Sequence, residues 1–217
     1  MRSYTVFFIS AFQTACQDFG RLKSRCAGFS KTHCFGIISA SYHSGKFMMS
    51  NWPLPAFEHK ICPPEELAAR IAALPRPLVF TNGCFDILHR GHVTYLAQAR
   101  ETGAALVLAL NTDASVRRQG KGSGRPVNML ENRAAVAAAL ACVDVVTWFD
   151  DDTPAALIER VKPDILVKGG DWPVEKIVGA QETLARGGKV YSIPFLHQTS
   201  TTQTLEKIRA AEGAGQK

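Results

Sequence analysis

The sequence predicts an α/β fold: a doubly wound parallel sheet with helices on both faces, formed as a single domain. Three observations carry that expectation. Short apolar runs at 78–80, 104–110, 143–148, 165–168 and 189–193 alternate with stretches of helical spacing, the pattern of a parallel sheet covered on both sides. At 217 residues the chain has room for one domain of ordinary size plus an appendage. The polar, glycine-bearing segments 81–92, 111–113, 168–171 and 195–202 all follow strands, and an open sheet gathers its ligands beyond the carboxyl ends of its strands.

Residues 1–50 stand apart from the rest. They hold seven of the twelve phenylalanines, three of the six cysteines, and six Lys/Arg against the single acid Asp18, without sustained periodicity. Arg2 with Val6-Phe7-Phe8-Ile9 suggests a signal peptide, although the apolar run is short and broken by Ser10 and Gln13. The acid-poor composition with Ser and Arg equally suits a transit peptide. A third reading is an overextended reading frame whose natural start is Met48 or Met49. Residues 51–77 are a lead-in, in which Pro63-Pro64-Glu65-Glu66 opens a short helix reaching Leu74, expected to pack beside the first strand.

The domain itself is expected over 78–212, followed by a tail, 213–217. Leu78, Val79 and Phe80 form a buried strand, which Asn82-Gly83 breaks because glycine permits backbone angles other residues resist. From Arg90, residues Val93, Leu96, Ala97 and Ala99 fall near helical spacing. The second strand, 104–110, ends in Asn111-Thr112-Asp113, and 114–118 is helix-like. An alanine-rich helix follows at 132–141, then a strand at 143–148. Thr153-Pro154 is expected to cap a helix running to about Val161. The strand 165–168 is broken by Gly169-Gly170. A helix over 174–186 is ended by Gly187-Gly188, the last strand is 189–193, and the last helix 200–211. No internal repeat is visible.

The chemistry concentrates in 81–92. His92 falls in the first turn of a helix, where unpaired N–H groups and a partial positive charge favour a bound phosphate. Two imidazoles there add donors that follow charge as it builds on a phosphoryl group. Two histidines three apart also suit metal ligation, but zinc needs a third or fourth ligand and no further His or Cys stands at helpful spacing, so no protein metal site is expected. Cys84 is read as a bystander: phosphoryl transfer needs no covalent step, and no base is placed to activate the thiol.

Other segments carry weaker signals. The loop from Gln119 to Pro126, with Lys121 and Arg125 among glycines, suits either a phosphate-covering strap or a plain surface loop, and it is not a Walker A motif. Arg133 opens the alanine-rich helix, where a solvated arginine is the ordinary case. Gly169 and Gly170 let a ligand approach the backbone closely, while Asp171 is either a ligand contact or a turn residue. Thr199-Ser200-Thr201-Thr202 is either a simple N-cap or a phosphate receiver, since both use the same free N–H groups and hydroxyls.

Thr81-Asn82-Gly83-Cys84-Phe85-Asp86, followed by His89-Arg90-Gly91-His92, resembles the signature of the cytidylyltransferase-like nucleotidyltransferase superfamily. Within it the sequence is most similar to the adenylyltransferase branch of bacterial ADP-heptose synthesis, over about 60–210. The resemblance implies a Rossmann-like sheet and transfer of AMP from ATP, with Mg2+, to D-glycero-β-D-manno-heptose 1-phosphate for the lipopolysaccharide core. It implies His89 and His92 as catalytic residues. It implies nucleotide or phosphate contacts at Thr81, Asn82, Gly83, Cys84, Phe85, Gly91, Arg133, Gly169, Asp171, Ser200, Thr201 and Thr202, and substrate contacts at Asp86, Asp113, Lys121 and Arg125. Relatives often carry Glu-Gly before the Ser-Thr-Thr, where this chain has His197-Gln198.

The resemblance also sets expectations about context. A cytoplasmic enzyme of this kind needs no address, which favours the overextended reading frame for 1–50. Only 77 residues precede the first strand, too few for the sugar kinase often fused to this adenylyltransferase, so a separate heptose kinase is expected. A homodimer is usual among relatives. The net charge of +6 divides into +5 over residues 1–50 and +1 over the remainder, leaving no basic stripe for nucleic acid. The absence of a bilayer-length apolar run argues against a membrane span. Six cysteines without a Cys-x-x-Cys pair suit reduced thiols.

Rivals remain within and beyond the superfamily. A glycerol-3-phosphate cytidylyltransferase or an FAD synthetase shares fold and signature, although the wording of 125–128, 142–144 and 167–171 favours heptose. The intact histidine pair argues against a non-catalytic nucleotide-binding module. A tRNA synthetase is disfavoured because the chain is short and lacks a Lys-Met-Ser-Lys-Ser-like loop.

Overall fold

The computed structural model describes residues 53–120, 122, 124–197 and 199–214. The expectations for 1–50, for a start at Met48 or Met49, for Lys121 and for the end of the tail lie outside the described residues.

Five parallel strands form one sheet in the order β3-β2-β1-β4-β5: β1 Leu78–Gly83, β2 Ala105–Asn111, β3 Val145–Phe149, β4 Ile165–Gly169 and β5 Lys189–Ile193. The chain builds outward from β1 through β2 to β3, then returns to the other side of β1 with β4 and β5. The strand order therefore reverses beside β1, and the crevice of an open sheet opens at such a point.

Alternation along the strands divides the core into two layers. Leu78, Phe80, Ala105, Val107 and Ala109 face one side, where they meet Leu67 of α1 (Leu67–Ala72) and Leu157, Ile158 and Val161. Val79, Leu106, Leu108 and Leu110 face the other, against Tyr95, Leu96 and Ala99 of α2 (Arg90–Glu101). All seven residues of β2 are buried, as expected of a strand covered on both faces. Each such fully buried Leu or Val contributes about 1.5–3 kcal/mol relative to exposure.

Two short helices follow, α3 (Asp113–Arg118) and α4 (Leu130–Ala138), the second beginning and ending earlier than its alanines suggest. Next is α5 (Ala155–Val161), whose N-cap is Pro154 with no side-chain cap bond; the expected Thr153 cap is not made. The expected helix over 174–186 is interrupted. A 3-10 turn at Val174–Lys176 is followed, after Gly179, by α6 (Ala180–Ala185). The break has a local cause. Gly179 has φ 84°, which no continuing helix adopts, and a Cβ there would fall 2.8 Å from Ile158. Ile177 is drawn into the core at the break. The last helix is α7 (Thr201–Ala214).

The lead-in adds two features beyond the sequence reading: a 3-10 turn at Ala56–Lys60 and a parallel bridge from Ile61 to Val146 beside β3. Among the described residues, no helix is long and apolar enough to cross a membrane.

Candidate active site

β1 delivers the chain to the mouth of the sheet, and the loop after it is held by unusual backbone. Phe85 has φ 44°, a left-handed conformation costing about 1–3 kcal/mol for a non-glycine residue. Its ring folds back over Gly83, where an added Cβ would come within 2.8 Å of it. The same ring lies 5.0 Å, centroid to centroid, from His92.

Asp86 holds the next part of the loop. Its buried carboxylate accepts from Arg125 Nε at 2.5 Å, from Val127 N at 2.9 Å and from Asn128 N at 2.8 Å, while Asn128 Nδ2 donates to its carbonyl at 2.7 Å. Arg133 braces the loop from beneath. With a side chain 0% exposed, it donates to Cys84 O at 2.7 Å, Asn128 O at 3.0 Å and Asp113 Oδ1 at 2.6 Å. The expectation that Arg133 meets phosphate does not match its placement in this structure. Its guanidinium is spent on protein acceptors, and Asp113, expected at substrate, is its partner.

His89 precedes α2 in an extended conformation, and His92 stands in the first turn. Their rings stack with centroids 3.8 Å apart and planes 21° apart. Gly91 is buried between them and His197; a Cβ there would sit 3.1 Å from His197 O and from His89 Cε1. Thr199 Oγ1 lies 3.1 Å from His89 Nδ1, joining the start of α2 to the approach of α7. Burial pushes the His89 pKa below its ordinary 6.5, so the ring is neutral at pH 7.

Ser200 caps α7 through Gln203 N donating to Ser200 Oγ at 3.1 Å, and Thr201 is buried against the Ile87 carbonyl. The N-termini of α2 and α7 thus open onto one cavity of about 460 Å3, lined by 84–86, His89, His92, Arg125, Phe195 and 199–202. Unpaired N–H groups, hydroxyls and imidazoles together make a polar, anion-accepting surface.

Several residues expected at the site fall elsewhere. Thr81 lies inside the sheet, its hydroxyl 2.5 Å from Tyr95 OH. Asn82 and Gly83 line a second cavity on the far side of Cys84. Gly169 lies beneath Phe195, with room for no Cβ, and Asp171 is exposed in the turn beyond it. Tyr95 and Lys176 stand at or beside these cavities without having been singled out, while Asn111 and Gln119 belong to segments selected only as a strand end and a loop start. The signal for them is positional: Asn111 ends a strand, whereas Lys176 is hidden inside an expected helix.

The profile of the cytidylyltransferase-like family matches residues 80–209. The chain belongs to that family. Cytidylyltransferase-like proteins are nucleotidyltransferases, and so is this chain. Among similar cytidylyltransferase-like proteins is a D-beta-D-heptose 1-phosphate adenylyltransferase of Bordetella bronchiseptica, 57% identical over 155 residues that cover 70% of this chain and 96% of that protein. The bifunctional protein HldE of Hahella chejuensis is 58% identical over 132 residues, 61% of this chain but only 28% of HldE. A solved lipopolysaccharide core biosynthesis protein from Thermoplasma volcanium is 28% identical, with a TM-score of 0.46 over 56% of this chain and 98% of that one.

Proposed function

We propose that this nucleotidyltransferase moves AMP from ATP to D-glycero-β-D-manno-heptose 1-phosphate, releasing pyrophosphate and forming ADP-heptose for the lipopolysaccharide core. The stacked His89–His92 pair facing the N-terminus of α7 carries the reading of the chemistry, and the similarity to the Bordetella adenylyltransferase supports the choice of substrates.

An acceptor phosphate oxygen attacks the α-phosphorus in line. The new P–O bond forms as the bond from that phosphorus to the α,β-bridging oxygen breaks, and the electron pair departs with pyrophosphate. No covalent intermediate on the enzyme is required, so catalysis is positioning plus charge stabilisation. With the Thr199 hydroxyl donating to Nδ1, neutral His89 keeps its proton on Nε2 and offers it to the α-phosphate. His92 donates beside it. The free N–H groups of α7, with Ser200 and Thr202, receive the β- and γ-phosphates.

Asp86 is the carboxylate of this cavity, and its oxygens already accept from Arg125, Val127 and Asn128. Mg2+ accompanying ATP would therefore draw its ligands from the substrate and water rather than from this carboxylate, a mode the ion commonly adopts. Its chemical contribution there would be to neutralise charge on the triphosphate. The reading includes a cytoplasmic setting and a homodimeric assembly. Pyrophosphate release measured with ATP and CTP against heptose 1-phosphate, glycerol 3-phosphate and FMN tests the assignment. Turnover confined to CTP with glycerol 3-phosphate, or to ATP with FMN, would replace it with a superfamily rival.

A further inference from the structure

We propose that Tyr95 is a positioning residue for the histidine pair: its hydroxyl bridges β1 and β4 where the sheet parts and fastens the start of α2 to both strands. The inference rests on the nucleotidyl-transfer reading of the histidine cavity and adds what holds that cavity in shape.

The sheet parts along one seam. β1 stays in register with β2 from Leu78 to Gly83, and β4 with β5 from Ile165 to Gly169. Between these two halves, among the described residues, pairing is confined to Val79 with Ile165 and Phe80 with Leu166. The next positions in that register are Thr81 and Val167, and there the phenol of Tyr95 enters. Its oxygen lies 2.5 Å from Thr81 Oγ1, and its proton goes to the Val167 carbonyl at 3.3 Å. With that proton spent on β4, the phenol oxygen accepts from the Thr81 hydroxyl on β1. One hydroxyl thus satisfies buried polar groups where the ladder between the two halves ends.

Packing alone does not call for that hydroxyl. Tyr95 is 3% exposed and Thr81 0%, and the neighbours of Tyr95 on α2, Leu96 and Ala99, are apolar. An apolar ring would fill the same layer, whereas a buried hydroxyl is costly unless both its roles are met. Burial also pushes the Tyr95 pKa far above its ordinary 10, so the group stays protonated and keeps both roles at every working pH.

The location supplies the reason. Tyr95 follows His92 by three residues, one turn along the same face of α2. Its ring meets Phe195 edge-on at 5.7 Å, and Phe195 lines the histidine cavity. Gly169 lies tight against both rings: an added Cβ would fall 2.8 Å from Phe195 and 3.2 Å from Tyr95. The ends of β1 and β4, the approach to α7 and the first turn of α2 therefore meet at one side chain. A slide of α2 along its axis breaks the bond to Thr81 or to Val167, and it carries His92 with it. The hydroxyl accordingly sets the height of the imidazoles above the strand ends.

The test compares Tyr95→Phe, Thr81→Val, Thr81→Ser and the Tyr95→Phe/Thr81→Val double variant with the parent protein. Denaturant titration gives the folded fraction of each, so rates are read per folded molecule. Tyr95→Phe is expected to slow single-turnover pyrophosphate release about ten- to a hundredfold, the scale of a donor misplaced by about 1 Å. The dissociation constants of ATP and acceptor stay at parental values. Thr81→Val follows Tyr95→Phe, and Thr81→Ser keeps the parental rate. The double variant is no slower than the slower single one, because both changes remove the same bond. In the ligand-free protein, the ring-nitrogen NMR signals of His92 move in the same direction in Tyr95→Phe and Thr81→Val. A parental rate per folded molecule with only stability lowered would make Tyr95 structural and overturn the proposal. Additive losses in the double variant, losses confined to ATP affinity, or unmoved His92 signals would overturn it as well. A parent that releases no pyrophosphate with any nucleotide and acceptor named above overturns the nucleotidyl-transfer reading instead, and the His92 signals then decide whether Tyr95 positions the ring.

Discussion

Thr199 Oγ1 and His89 Nδ1 stand 3.1 Å apart although 110 positions separate them in sequence. The contact ties the ring that opens α2 to the residues that open α7, so one hydroxyl orients an imidazole of the histidine cavity. Its consequence is readable in pH. Burial already lowers the His89 pKa below 6.5. Removing a hydroxyl that donates to Nδ1 disfavours the neutral ring, so Thr199→Val shifts the acid limb of kcat/KM to higher pH. An acid limb that stays in place would show that the hydroxyl does not set the tautomer.

The same lowered pKa makes a stability prediction with a definite sign. Above the ordinary value of 6.5 the ring is neutral both folded and unfolded, and its burial carries no protonation penalty. As pH falls below 6.5 the unfolded chain binds the proton first, so stability declines until the folded pKa is passed. His89→Gln should flatten part of that acid slope in denaturant titrations between about pH 7 and 5. An identical slope assigns the acid sensitivity to other groups.

Truncating the second imidazole probes chemistry rather than folding. His92→Ala is expected to lower turnover by about two or more orders of magnitude, the scale of one preorganised donor. The readout is single-turnover pyrophosphate release. Near-parental rates would remove His92 from the mechanism.

Arg133 is expected to act on stability first. Arg133→Met leaves the Cys84 and Asn128 carbonyls and the Asp113 carboxylate without their donor, and breaking a buried pair costs about 3–5 kcal/mol. Chemical denaturation gives the number directly. A variant of parental stability with a selective loss of ATP affinity would return Arg133 to a phosphate-binding role.

Gly91→Ala tests the closeness of the two helix starts. The added methyl meets His197 O and the His89 ring at 3.1 Å, so the segment or the ring must yield. A displacement of that order in a positioned donor lowers kcat by about tenfold or more, with only a small change in melting temperature. Full activity would mean that the ring stack tolerates the shift.

Local chemistry made most of the elements legible. The apolar run 78–80 and the breaking pair Asn82-Gly83 located β1 within its Leu78–Gly83 span, and Lys189–Ile193 was bounded as it stands. The long helix over 174–186 was the main misreading. Its residues have helical spacing, but the break depends on Gly179 meeting Ile158, which belongs to a different helix. The cap expected at Thr153 failed for a smaller reason, since Pro154 takes the capping position itself.

Taken alone, the sequence determined the parallel sheet, the place of its strands to within one or two residues and the segment bearing the two histidines, because periodicity, glycine and proline act over a few residues. Only the tertiary structure decided which polar side chains face a cavity and which hold the walls in place. Asp86 and Arg133 read as ligand contacts by motif, yet the ion-pair partner of each stands far away in the chain, Arg125 39 positions from Asp86 and Asp113 20 positions from Arg133. A buried charge must be paired wherever the fold brings a partner, and that partner is not written beside it in the chain.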